Sequence, residues 1–119
     1  MFSITGATKF MFIPNYKDMR GGYDKLHSVV CSLTGIQEEG TAYVFTSRNQ
    51  KLVKIIRHEH NECQLYMQRF DHNMSFVRLT FEGIHPVYTL EWKYLMAMLS
   101  CPVIKRIGPI AMHSPSESA

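Results

Sequence analysis

The sequence predicts an α+β domain: a mainly antiparallel sheet of four or five strands, packed by one long N-terminal helix, with a second helix near the C-terminus. Three observations carry this expectation. Met19, Tyr23, Leu26, Val30 and Leu33 recur at steps of four and three, which places them on one stripe of a helix. Between Ala42 and Glu82, runs rich in β-branched and aromatic residues alternate with short polar turns, the pattern of an antiparallel meander. A second helical pattern then follows Thr89.

Taken in order, residues 1–7 lack periodicity and read as a loose lead-in. Lys9 to Ile13 form the first expected strand, ended by Pro14 and Asn15. The long helix is expected from Asp18, placed to cap its N-terminus, to Thr34, with Gly35 ending it in the left-handed conformation. Gly21 and Gly22 then fall inside its first turn, where each costs about 1 kcal/mol against alanine. Close approach of a sheet strand to that turn is one reason for them.

After an acidic loop with Glu38 and Glu39, three strands are expected: Ala42–Ser47, Lys51–His58 and Cys63–Phe70. Their turns are Arg48-Asn49-Gln50 and Glu59-His60-Asn61-Glu62. A fourth run, Phe76–Glu82, has Val77, Leu79 and Phe81 on one face and Arg78, Thr80 and Glu82 on the other. The second and third strands are apolar on both faces, so both sides of the sheet need cover. The C-terminal helix, a second subunit or another protein would each supply it. That helix is expected from Thr89 as cap, through Leu90, Leu95, Met98 and Leu99, to a stop at Pro102.

At 119 residues the chain has the size of one domain, assigned to 1–107, with a flexible tail at 108–119. No run approaches the about 20 apolar residues needed to cross a bilayer. No secretory signal opens the chain, and Cys31, Cys63 and Cys101 form no Cys-x-x-Cys pair. Free thiols in a reducing cytoplasm are expected.

Candidate chemistry is sparse. His58-x-His60-x-x-Cys63, with His72 and Cys31 near in composition, offers zinc ligands, but the spacing fits no standard zinc pattern and reads as a polar turn. His27 and Cys31 are one helical turn apart, and a structural cysteine is the simpler reading. There is no phosphate-cradling glycine loop and no acid/base carboxylate pair, so neither enzyme activity, metal nor cofactor is expected. The basic residues are more informative. Arg48, Lys51, Lys54 and Arg57 lie between Tyr43 and Arg57 with no acid among them, and Arg69 lies on the neighbouring strand. With a net charge of +3, this permits phosphate contacts, while Tyr43, Phe45 and Tyr66 are placed to stack on unpaired bases. The bland alternative is a solvated hairpin whose charges discourage edge pairing.

Three segments carry a family resemblance. They are Asp18-Met19-Arg20 with Gly22-Tyr23-Asp24-x-Leu26; Tyr43-Val44-Phe45 through Arg48 to Lys51-x-x-Lys54-Ile55-Ile56; and His58-Glu59-His60 followed by Leu65-Tyr66-x-x-Arg69-Phe70. In order and spacing, from about Lys9 to Phe81, the chain resembles the small accessory protein TnpB of bacterial IS-sixty-six type insertion sequences, which is distinct from the RNA-guided nuclease sharing that name. It departs from the pattern at Lys25, Arg57-His58, Asn61-Glu62 and Gln68.

The resemblance implies a non-catalytic protein that assists DNA transposition by binding DNA, the transposase of the same element, or both. The contact surface expected is Arg20, Arg48, Lys51, Lys54, Arg57 and Arg69. A protein–protein interaction or oligomerising module without nucleic acid is the alternative, motivated by two-faced apolar strands and eight methionines. Arg20 has two readings: a buried tie from helix to sheet through a carboxylate, or an outward contact for a partner.

Overall fold

A computed structural model describes residues 9–104, so the expected lead-in at 1–7 and tail at 108–119 lie outside the described residues. The elements in chain order are β1 (Lys9–Ile13), α1 (Tyr23–Thr34), β2 (Thr41–Thr46), β3 (Leu52–Glu59), β4 (Glu62–Arg69), β5 (Met74–Ser75), β6 (Tyr88–Thr89), α2 (Trp92–Ser100) and β7 (Val103–Ile104). The main sheet has five strands in the order β4-β3-β2-β1-β6, and β5 pairs with β7 separately.

The meander is present: β2 pairs antiparallel with β3, and β3 with β4. The sheet as a whole is mixed, however, because β1 runs parallel to β2, from Lys9 opposite Thr41 to Ile13 opposite Phe45. A parallel neighbour needs a crossover, and α1 is that crossover. Both faces are covered. Phe10, Phe12, Ala42, Val44, Val53 and Ile55 turn to one side, where Phe76, Leu90 and the α2 residues Leu95, Met98 and Leu99 close a core. Ile13, Tyr43, Phe45 and Ile56 turn to the other, under Leu26 and Val30 of α1. The second cover is therefore α2 together with the segment that leads into it.

Two expectations about regular elements are corrected. Phe76–Glu82 is not a strand. Its alternation is real, since Val77, Leu79 and Phe81 pack on the core while Arg78, Thr80 and Glu82 are exposed, but the segment lies on the sheet rather than in it. Alternation reports which face is buried, not whether a ladder partner exists. Thr89 does not cap α2 but pairs with Met11 in β6, and Glu91 takes the N-cap position. Pro102 follows the C-cap Cys101, as a helix stop should.

The helix α1 begins later than its stripe suggests and is shorter than expected. Gly22, not Asp18, is its N-cap, so Met19 and both glycines precede it. Gly35 ends it at φ 91°, donating its N–H to the Cys31 carbonyl. Asp18 is occupied elsewhere. Its Oδ1 accepts the Arg20 backbone N–H at 3.1 Å and Nε at 2.8 Å, its Oδ2 accepts Arg20 Nη2 at 2.9 Å, and Lys25 Nζ adds 3.3 Å. These bonds, those from Arg20 foremost, hold the Asp18 carboxyl well below the usual carboxylate range.

No strand presses on the glycines. What crowds Gly21 is Lys25: an added Cβ would sit 2.7 Å from its Cβ and 2.6 Å from its Cδ. At Gly22 nothing lies within 4 Å. Gly21→Ala is therefore expected to destabilise by about 1–2 kcal/mol. Gly22→Ser, which adds a capping hydroxyl, is expected to gain about 0.3 kcal/mol. Thermal denaturation of the two variants side by side checks the asymmetry.

Candidate phosphate-binding cleft

The expected basic surface does not form one patch, because a strand sends successive side chains to opposite faces and here both faces are covered. Lys54 points under α1 and is only 7% exposed, its ammonium donating to the Met19 carbonyl at 2.6 Å and the Gly21 carbonyl at 2.8 Å. Arg57 points to the other face, 5% exposed, bonded to Gln64 Oε1 at 2.9 Å and 3.3 Å from Glu59 Oε1. Lys51 donates to the carbonyls of His72 and Met74. Arg20 is at the surface with 88% of its side chain exposed, paired with Asp18, so it is not a buried tie between helix and sheet. Arg48 and Arg69 are exposed. Tyr43 and Phe45 are core residues at 2% and 0% exposure, so neither presents a ring for stacking.

Instead, cations gather from segments far apart in sequence. Lys17 follows β1, Arg48 lies in the β2–β3 turn, and Arg78 lies in the extended segment after β5. All three line one cleft of about 250 Å³, floored by Phe12, Phe76 and Phe81, and no carboxylate lines it. Lys17 Nζ donates to Thr46 Oγ1 at 3.0 Å, and Arg78 Nη2 donates to Gln50 Oε1 at 2.9 Å. Partial burial, and then the positive charges of Arg78 and Arg48, push the Lys17 pKa below that of an ordinary lysine. A cleft that disfavours its own lysine's charge is one that an anion would relieve. Lys51 and Arg69 line a second hollow beside the same turn with Ser47, Asn49 and one carboxylate, Asp71.

Comparison with known proteins bears on what this cleft belongs to. The family model for IS66 Orf2 like proteins matches residues 8–108. The chain belongs to that family. No match was found among curated proteins or among solved structures. Within this IS66 Orf2 like chain, the Asp18-Met19-Arg20 segment makes a turn closed by its own ion pair, and its Met19 carbonyl helps seat Lys54. Lys17 and Arg78 were outside the expected surface. Lys17 adjoins the family motif, and Arg78 stands on the polar side of an alternating run; only the fold brings either beside Arg48.

The remaining candidates are resolved by geometry. Cys31 Sγ lies 3.6 Å from His27 Nε2, and His27 Nδ1 lies 2.7 Å from Gln37 Oε1, while Gln37 Nε2 donates to Tyr23 Oη at 3.1 Å. This chain of contacts ties the loop after α1 back to the helix. Burial, followed by the neighbouring Cys63, pushes the Tyr23 hydroxyl up to about 12. Among the described residues, no three His, Cys, Asp or Glu side chains form a metal-holding group. His60, one of the expected zinc candidates, sits at φ 56° in the β3–β4 turn. Cys31, Cys63 and Cys101 are free thiols. No described helix is long and apolar enough to cross a membrane.

Proposed function

We propose that this IS66 Orf2 like protein is a non-catalytic accessory factor of transposition that binds DNA through phosphate contacts in the Lys17–Arg48–Arg78 cleft. Arg69 and Lys51 extend the surface along the second hollow, and the transposase of the same element is the protein partner. The observation that supports this reading is the convergence of three cations from three separate segments on a cleft lined by no carboxylate. Phosphate contacts of this kind give affinity without base readout, and the affinity falls with added salt because releasing the phosphates' counterions into a more concentrated solution gains less entropy.

A fluorescence anisotropy titration with a short labelled duplex tests the proposal across salt and pH. A steep fall in affinity between low and moderate salt is expected, and no binding, or a flat salt response, would overturn it. The pH response has a definite sign. Lys17 has a lowered folded pKa, so in the free protein its proton is lost at a lower pH than in the unfolded chain. In the window between the two values the unfolded state holds more protons, and stability on this account rises with pH. A bound phosphate prefers the ammonium, so binding takes up a proton. Affinity is therefore expected to weaken as pH rises from neutral towards the ordinary lysine value of 10.5.

A further inference from the structure

We infer that β4 is a homodimerisation edge, pairing antiparallel with β4 of a second copy about a twofold axis at Tyr66. The two edges of the main sheet are unlike. The β6 edge is two residues long and leads straight into α2. The β4 edge runs for eight residues in unbroken register with β3, from Glu62 opposite Glu59 to Arg69 opposite Leu52. Long regular edges are normally blunted by lysine, proline or a bulge. Between Glu62 and Arg69 there is none of these, only Cys-Gln-Leu-Tyr-Met-Gln. Leu65 and Met67 stand on this strand 40% and 61% exposed.

The backbone pattern says which groups are offered. The Phe70 N–H bonds inward to the Lys51 carbonyl, and Glu62 pairs with Glu59 across the two-residue turn His60–Asn61. The even residues of β4 therefore direct their amides and carbonyls to β3, and Cys63, Leu65, Met67 and Arg69 direct theirs outward. A twofold axis perpendicular to the sheet requires paired residues of the same parity, since both copies then present the same face. Centring it on Tyr66 sets Leu65 opposite Met67 of the second copy, and Cys63 opposite Arg69, so every outward amide and carbonyl from 63 to 69 is used. Centring it on Leu65 leaves Arg69 beyond the end of the partner strand.

Charge favours the same orientation. Glu62 and Arg69 stand at opposite ends of the strand, so antiparallel pairing keeps the two carboxylates and the two guanidiniums of the copies apart, whereas parallel pairing would set like beside like. On the α1 face the exposed Leu65 and Met67 of the two copies meet as two apolar cross-strand pairs. The occupant that closes this edge symmetrically is a second copy of the same chain.

Sedimentation of the full chain over a range of concentrations tests this. A monomer–dimer equilibrium is expected, and Met67→Lys, at a position exposed in the single chain, is expected to weaken it at least tenfold while leaving the melting midpoint unchanged at concentrations low enough for both chains to be monomeric. The double variant Leu65→Glu/Met67→Lys is expected to restore the dimer, because each introduced carboxylate then faces the introduced ammonium of the other copy. A wild-type chain that stays monomeric, including one whose edge is taken by a transposase strand instead, overturns the inference. So does a double variant no better than the single one, since an axis centred on Leu65 would set the two introduced carboxylates against each other. DNA binding by the cleft is measured separately, and its loss or retention leaves this outcome unaffected.

Discussion

Replacing Lys54 with methionine is expected to destabilise the fold by about 2–3 kcal/mol, the scale of losing charge-assisted hydrogen bonds from a buried group. Methionine keeps most of the aliphatic stem, so the change isolates the ammonium. That ammonium is bound at 2.6 Å and 2.8 Å by the carbonyls of Met19 and Gly21, the two ends of the turn that leads into α1. Without it the turn has no anchor to β3 at this point, and two half-buried carbonyls lose their donor. The two bonds share one charge whose burial is itself costly, so they do not sum to twice the effect of one. The melting temperature is expected to fall by roughly 10 °C. Arg48→Met, at an exposed position, is expected to stay within about 0.5 kcal/mol of the wild type. A Lys54→Met chain that melts normally yet loses DNA affinity would show that this lysine acts on a ligand and not on the fold.

Removing Arg48 and Arg78 together is expected to produce the opposite separation: DNA binding is lost while stability is kept. Each phosphate contact contributes about 0.9 to the slope of log affinity against log salt on a duplex, so the Arg48→Ala/Arg78→Ala variant should lose about 2 from that slope. Its affinity at moderate salt is expected to fall roughly tenfold to a hundredfold. The melting midpoint should hold, because both side chains are exposed and Arg78's bond to Gln50 is a surface contact. The same variant also relieves Lys17 of its two positive neighbours. The Lys17 pKa then moves back towards 10.5, although burial, the largest cause of its depression, remains. An unchanged slope would remove the cleft from the binding surface.

Particular residues show how far the chain could be read without its fold. The meander was legible because β2, β3 and β4 are separated by short polar turns, and the strand bounds shift by only a residue from those expected. The stripe of Leu26 and Val30 marked a real buried helix face, and Gly35 marked its end. Met19 also lies on that stripe and packs on the same core, yet it belongs to the turn before the helix. Periodicity registers which residues face the core, and a turn closed by Asp18 and Arg20 satisfies it as well as a helical turn does. The parallel pairing of β1 with β2 also leaves a signal in the chain, since a helix between two strands is itself the mark of a crossover.

The cleft was the least legible feature. A run of cations between Arg48 and Arg57 looked like one surface, but the two-residue period of β3 sent Lys54 under α1 and Arg57 to the opposite face. Family membership, the two-sided sheet, the meander and the presence and C-terminal ends of both helices follow from local pattern, because each is written in residues close together in the chain. The structural task of Lys54 and the meeting of Lys17, Arg48 and Arg78 were decided by tertiary structure alone. Each depends on which distant segments the crossover and the two covering layers bring side by side, and spacing along the chain does not encode that distance.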